Sequence, residues 1–131
     1  MRICIDSCVF IHGLQIGAPA NRRLIALIGP AVQLVVPRLV AQEVTRNLRS
    51  PEQVRLSYRL FRQLDFAFIV DEPVPVDLPA EADAFIGAFA EWMQVRYLIS
   101  DNRHFLQAFQ TEAFKVLDAE TFVARWETDP L

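Results

Sequence analysis

Short runs of consecutive apolar residues alternate along the chain with longer stretches whose apolar residues recur every three or four positions. The short runs are typical of strands buried on both faces, and they cover residues 2–6, 32–37, 65–70, 96–100 and 114–118. The longer stretches predict helices over residues 21–29, 37–48, 51–64, 80–93 and 119–127, with a turn into a further helix over residues 101–109. Because the two patterns alternate, we expect a parallel sheet with helices on both faces.

Polar and helix-breaking residues indicate where two of these helices begin and end. Asn21 precedes the apolar residues of its helix and is expected to cap the N-terminus, whereas Gly29 is expected to terminate the helix. Ser50 is the expected cap of a later helix, with Pro51 at the first helical position. These signals predict that Asn21 and Ser50 both lie just outside a helix.

Composition predicts a single domain with its own core. The chain has 131 residues, without repeats or low-complexity segments, so we expect one domain over residues 1–131. It is 53% hydrophobic and contains ten Phe and two Trp, which is enough for a core without a stabilising metal or disulfide. Cys4 and Cys8 lie in one extended apolar segment, so we expect two free thiols.

The charge balance limits the function classes. The formal net charge is −3, so the chain is not a globally basic nucleic-acid binder, and any nucleic acid must be bound by a local patch or through cations. No apolar run is long enough to span a membrane, and the first strand pattern begins at the second residue, so we expect no signal peptide. We therefore expect a cytoplasmic protein.

Four acidic residues fall where an open α/β sheet binds its ligands. Asp6 ends the first predicted strand and Asp101 follows the fourth, while Asp83 lies in a first helical turn and Glu43 within the helix after the second strand. Ligands of such sheets bind beyond the carboxyl ends of the strands, so we expect these four side chains to face one crevice.

Grouped carboxylates repel one another, and a divalent cation removes the conflict. Oxygen ligands without a Cys or His cluster favour Mg²⁺ or Mn²⁺ over zinc. Such a cation keeps open positions at which phosphate oxygens bind, and it activates water for phosphodiester hydrolysis. We therefore expect Asp6, Glu43, Asp83 and Asp101 to be catalytic residues that hold the metal.

The same residues carry a family resemblance. The segments "ICIDSCVFI", "VPRLVAQEV", "EADAFIGAFAEW" and "YLISDNRHFL" resemble, in order, the four motif blocks of PIN domains, and "FKVLDAETFVARW" resembles the end of one branch of that family. PIN domains are small α/β nucleases that include VapC-type toxins. The resemblance implies a PIN-like three-layer α/β/α sandwich with a central, mostly parallel sheet of four or five strands. It also implies metal-dependent cleavage of RNA, a protein antitoxin and a homodimer.

The match to the motif blocks departs from the family at two places. Asp6, Glu43 and Asp83 match the family's first three acids, but Cys8 stands where the family often has Asn or Ser, and a thiol is a weak hydrogen-bonding group. In the last block, alignment on the Phe of "NRHF" places the family's usual acid on Asn102, one residue after Asp101. Either Asp101 supplies the fourth carboxylate or Asn102 orients a water with its amide, and we favour Asp101.

Further side chains near these blocks are candidates for supporting roles. Ser7 supports the metal site with its hydroxyl or caps a helix. Glu81 is a capping acid or an outer ligand. The candidates for RNA contact are Arg46, Arg49, Arg103 and His104. For the arginines, the alternatives are a solvated helical face and a docking face for an antitoxin.

Two other functions compete with the nuclease. The first is a catalytically weak or inactive PIN-like module that binds RNA or protein, and Cys8 and Asn102 favour it. The second is a metal-dependent phosphohydrolase of another α/β family. Such enzymes often have a nucleophilic Asp followed two residues later by a second Asp, and Cys8 at that later position argues against this class.

Overall fold

The computed structural model describes residues 1–55, 67–70, 82–102 and 113–128, without the side chains of residues 67–70 and 82–84. The strands are β1 (Arg2–Ile5), β2 (Gln33–Pro37), β3 (Ala67–Val70), β4 (Tyr97–Ile99) and β5 (Lys115–Leu117). The helices are α1 (Ser7–Ile11), a π-helix (His12–Ile16), α2 (Pro19–Ala26), α3 (Arg38–Asn47), α4 (Ala82–Trp92) and α5 (Ala119–Thr128). Residues 51–55 are also helical.

The strands form one parallel sheet in the order β3-β2-β1-β4-β5. From β1 the chain moves outward to β2 and β3, and from β4 it moves outward in the opposite direction to β5. Right-handed crossovers therefore place helices on both faces, and the predicted PIN-like α/β/α sandwich is confirmed with five strands. The direction of winding reverses between β1 and β4, so the ligand crevice of such a sheet lies at the carboxyl ends of these two strands.

The central strands are apolar because they are covered on both faces. Ile3, Cys4 and Ile5 of β1 are fully buried, as are Leu98 and Ile99 of the neighbouring β4. A strand in this position has no solvated face, which explains the continuous apolar runs in the sequence. Burial on both faces also fixes the register, in which Ile5 pairs with Ile99. This pairing brings the residues that follow the two strands side by side.

The predicted boundaries of α2 are wrong. The helix begins at Pro19, whose fixed φ suits a first helical position, and Asn21 is its third residue. The helix ends at Ala26, three residues before Gly29. Asn21 is 5% exposed and uses its amide for contacts outside α2, so it does not cap the helix.

Other boundaries follow the sequence pattern. The amide of Gln53 donates to Ser50 Oγ over 3.1 Å, so the predicted cap at Ser50 is confirmed. No element was predicted for residues 7–16, which form α1 and the π-helix. The predicted helical residues 56–64 and the predicted turn into a helix after residue 102 lie outside the described residues. None of the helices described is long and apolar enough to cross a membrane.

Candidate active site

Asp6 is the first residue after β1, and its carboxylate is held by three donors. Oδ1 accepts a hydrogen bond of 2.8 Å from the amide of Ser7 and so caps α1. Oδ2 accepts from Ser100 Oγ over 3.1 Å and from Cys8 Sγ over 3.6 Å. Asp6 therefore caps α1 with one oxygen, while its other oxygen faces Ser100, the residue that follows β4.

A cavity of about 200 Å³ lies beside this carboxylate. Its lining is Asp6, Ser7, Cys8, Leu39, Glu43, Ile86 and Asn102. The structure thus brings together two predicted catalytic acids, Asp6 and Glu43, with two predicted supporting residues, Ser7 and Asn102. Leu39 and Ile86 contribute apolar surface to this lining, and a lower local dielectric strengthens electrostatic interactions.

Ser100 is part of this site and was missed in the sequence. Its side chain is fully buried, and its hydroxyl donates to the carboxylate of Asp6. The same oxygen accepts a hydrogen bond from the backbone amide of Asn102 over 3.2 Å. The hydroxyl therefore links the end of β1 to the loop after β4. A serine that ends a buried strand must find partners, and this requirement is the sequence signal that could have pointed to it.

The structure does not bring Asp101 to this cavity. Its Oδ2 accepts from Asn21 Nδ2 over 2.9 Å and lies 3.3 Å from His12 Nδ1. Its Oδ1 accepts from the amide of Ala119 over 3.4 Å. It lines a second pocket of about 290 Å³ together with Ala18, Pro19, Ala20, Asn21, Asp118 and Glu120. The two neighbouring side chains thus diverge: Asn102 lines the cavity beside Asp6, whereas Asp101 lines the pocket beside α2.

The remaining predicted residues are placed only in part. Asp83 is the second residue of α4, but its side chain is outside the described part of the structure. Glu81, Arg103 and His104 also lie outside the described residues. The side chains of Arg46 and Arg49 are described and are exposed, Arg46 in the last turn of α3 and Arg49 just beyond it.

Cys8 lies in the cavity as a protonated thiol. Burial, and next the negative charge of Asp6, raise the pKa of Cys8 to about 11. Its sulfur is 3.6 Å from Asp6 Oδ2 and 3.8 Å from Ser100 Oγ. The thiol therefore acts as a weak donor to Asp6 in the place where the family often has an Asn or Ser, and at neutral pH it does not provide a thiolate ligand.

The donor chemistry of the cavity fits a hydrated Mg²⁺ or Mn²⁺ ion. Within residues 1–55, 67–70, 82–102 and 113–128, no three His, Cys, Asp or Glu side chains are grouped closely enough to hold a metal. The carboxylates of Asp6 and Glu43 and the side-chain amide of Asn102 instead offer a few oxygen ligands. Mg²⁺ keeps several of its waters and needs only one or two carboxylates, whereas zinc sites in proteins are built mainly from His nitrogen and Cys sulfur ligands.

Comparisons with known proteins show the fold. No protein-family model matches the chain, and no curated protein matches it. The structure is similar to a chain in the crystal structure of VapBC2 from Rickettsia felis bound to a DNA fragment from their promoter. The TM-score is 0.60 at 10% sequence identity, over 88% of this chain and 97% of that chain. At this identity the similarity supports a PIN-like fold and assigns no activity.

Proposed function

We propose that the protein is a Mg²⁺- or Mn²⁺-dependent endoribonuclease, the toxin of a type II toxin–antitoxin pair. The observation that carries this proposal is the cavity shared by Asp6, Glu43 and Asn102 at the point where the winding of a PIN-like sheet reverses. Carboxylates in such a crevice bind cations that in turn bind phosphate. RNA is proposed as the substrate because the sequence motifs resemble those of PIN domains.

In this proposal the chain's own residues hold and orient the reacting groups. Asp6 and Glu43 hold the cation, Asp83 joins them from the first turn of α4, and Asn102 contributes its amide oxygen. A bound Mg²⁺ or Mn²⁺ supplies Lewis acidity, which polarises a phosphodiester and eases deprotonation of water. Ser100 and the Ser7 amide keep the Asp6 carboxylate in one orientation, so little reorganisation is needed when phosphate arrives.

RNA reaches this cavity past a positively charged surface. Arg46 lies one helical turn after Glu43 on α3, and Arg49 follows shortly after. Arginine side chains bind phosphates in bidentate fashion. Because the formal net charge of the chain is −3, RNA has to be attracted by local groups of this kind. Arg103 and His104, which follow Asn102 in the sequence, are proposed to add phosphate contacts.

The proposed partners are an antitoxin and a second copy of the chain. The Rickettsia felis structure is of VapBC2 bound to a DNA fragment from their promoter, which favours a protein partner for a chain of the same fold. A homodimer is proposed from the motif resemblance.

A cleavage assay tests the proposed activity. The protein, purified free of any partner, is incubated with a structured RNA in Mg²⁺, Mn²⁺ or EDTA. Asp6→Asn is compared with Asp118→Asn, because Asp118 also follows a strand and caps a helix but lines the other pocket. We expect discrete fragments that require metal, disappear in Asp6→Asn and persist in Asp118→Asn. Undiminished cleavage by a folded Asp6→Asn protein contradicts the assignment.

A second candidate is a PIN-like binding module with little or no catalysis. Asn102 lines the cavity where the family usually has an acid, so the negative charge available to a cation is lower there. This candidate predicts that the folded protein retains RNA or a protein partner with no turnover in either metal. The cleavage assay, run with an RNA-binding measurement on the same preparation, separates the two.

A further inference from the structure

We propose that Asn21 is a positioning residue for the candidate active site: it tethers Asp101, and this tether turns the neighbouring Asn102 toward Asp6 and Glu43. The inference rests on the proposed function only for its effect on metal binding. Asn21 does not line the cavity, and its side-chain amide donates hydrogen bonds to Val9 and Asp101. It therefore acts through Asp101.

The tether consists of two hydrogen bonds from one buried amide. Asn21 is 5% exposed, and its Nδ2 lies 2.9 Å from the carbonyl oxygen of Val9 in α1 and 2.9 Å from Asp101 Oδ2. An amide nitrogen has two hydrogens, so both are used. A buried polar side chain is costly without partners, and here the partners join α1, α2 and the segment that follows β4.

The direction of the tether decides which side chain enters the cavity. The backbone amide of Asn102 donates to Ser100 Oγ over 3.2 Å, so the chain turns directly after β4, with Asp101 between the two bonded residues. Asn21 and His12 hold Asp101 on the side of α2, and the amide of Ala119 holds its other oxygen. With Asp101 fixed in this way, Asn102 projects into the cavity beside Asp6.

The close packing of α2 makes this contact possible. Gly13 of the π-helix lies so near to α2 that an added Cβ would be 3.2 Å from Asn21 Cβ and 3.2 Å from Ile25 Cδ1. The absence of a side chain at residue 13 therefore lets α2 approach α1 closely enough for Asn21 to reach both Val9 and Asp101. The donor of the tether, Asn21, lies 80 positions from Asp101 in the chain.

The test compares the unmodified protein with two variants and uses two readouts. Asn21→Leu removes both donors at similar size. Leu24→Ala is the control, because Leu24 is fully buried in the same helix and has no polar group to contact Asp101. The first readout is the NMR position of the backbone and side-chain amides of Asn102 without metal. The second is the affinity for Mn²⁺.

We expect Asn21→Leu to shift the Asn102 amide signals and to weaken Mn²⁺ binding about tenfold, as loss of a residue that orients a ligand does. Leu24→Ala lowers thermal stability but leaves both readouts unchanged. Unchanged Asn102 signals in a folded Asn21→Leu protein overturn the tether, as do equal effects of Leu24→Ala. If neither the unmodified protein nor the variants bind Mn²⁺, the proposed metal site is wrong. The NMR readout still shows in that case whether Asn21 orients Asn102.

Discussion

Ser100 Oγ lies 3.1 Å from Asp6 Oδ2, although the two residues are 94 positions apart in the chain. The contact follows from the sheet, because Ile5 pairs with Ile99 and the amide of Asp6 donates to the carbonyl of Ile99 over 2.9 Å. The residues that leave β1 and β4 are thus brought together by backbone register. The candidate site is therefore set by the central pair of strands.

Removal of the Ser100 hydroxyl is expected to weaken both the fold and the site. Ser100→Ala deletes the donor to Asp6 and the acceptor for the backbone amide of Asn102. A hydrogen bond to a charged group contributes about 1.5–3 kcal/mol to stability. We expect the free energy of unfolding to fall by about 2 kcal/mol and Mn²⁺ affinity to fall with it. Urea unfolding and Mn²⁺ titration measure the two effects.

Thr45→Val is the matched control for this change. It also removes one hydroxyl, which donates to the carbonyl of Ala41 within α3, away from the carboxylate of Asp6. We expect Thr45→Val to leave Mn²⁺ affinity unchanged. Equal Mn²⁺ affinities in Ser100→Ala and the unmodified protein would show that Ser100 does not orient Asp6 for a metal.

A carboxylate at position 102 is expected to strengthen the cation site. Asn102→Asp adds a negative charge to a cavity that already contains Asp6 and Glu43. Without metal the three acids repel one another, so the free energy of unfolding should fall. With Mn²⁺ the added carboxylate should raise the Mn²⁺ affinity by about tenfold or more, because an additional interaction of about 1.4 kcal/mol corresponds to a factor of ten in affinity. Asp101→Asn should not raise Mn²⁺ affinity. An Asn102→Asp protein that binds Mn²⁺ no better than the unmodified protein would place the cation elsewhere.

Alkaline pH is expected to destabilise the fold through Cys8. Burial, and next the charge of Asp6, raise the pKa of Cys8 to about 11 from its ordinary value of 9.0. Above pH 9 the unfolded chain therefore releases this proton before the folded chain does. The stabilisation is complete below pH 9 and is lost as pH rises toward 11, at up to about 1.4 kcal/mol per pH unit.

The comparison of unmodified protein with Cys8→Ser isolates this contribution. Burial raises the pKa of Cys4 as well, so Cys8→Ser should keep a weaker alkaline slope of the same sign. Urea midpoints measured between pH 8 and pH 11 give the two slopes. Identical slopes in the two proteins would mean that the Cys8 thiol does not remain protonated in the folded state.

A methyl group at residue 13 is expected to disturb the packing of α2. In Gly13→Ala the new Cβ would lie 3.2 Å from Asn21 Cβ, which is attached directly to the backbone of α2 and cannot rotate away. Overpacking of this kind costs about 1–3 kcal/mol, which the higher helix propensity of Ala offsets in part. Gly29→Ala is the control, since its nearest atom is 3.8 Å away. Thermal unfolding should show a lower midpoint for Gly13→Ala only, and equal midpoints would contradict the close approach.

The strands could be predicted from sequence because burial on both faces leaves a strong local signal. Residues 97–99 and 115–117 lie within predicted runs, and the parallel order follows from the alternation of strands with helices. The positions of Asp6 and Glu43 at one cavity also follow from this topology, since both come after strands of the same sheet. Their roles as metal ligands stay predictions.

The placements of Asn21 and Asp101 could not be predicted from local sequence. An Asn before an apolar stretch resembles a helix cap, but its amide is used by Val9 and Asp101, which are distant in sequence. The sequence prediction favours Asp101 over Asn102 as the fourth site residue, whereas in the structure Asp101 accepts a hydrogen bond from Asn21 and it is Asn102 that lines the cavity of Asp6. In both cases tertiary hydrogen bonds overrode a residue-type preference.

The central claim is that the cavity formed by Asp6, Glu43 and Asn102 holds the divalent cation. The most direct measurement is the anomalous X-ray scattering of Mn²⁺ in crystals of the protein, with Asp6→Asn crystals treated identically. We predict a peak in contact with oxygens of Asp6 and Glu43, absent in Asp6→Asn. A peak at the pocket of Asp101 and Asp118 instead, or an unchanged peak in Asp6→Asn, would contradict this account of the site.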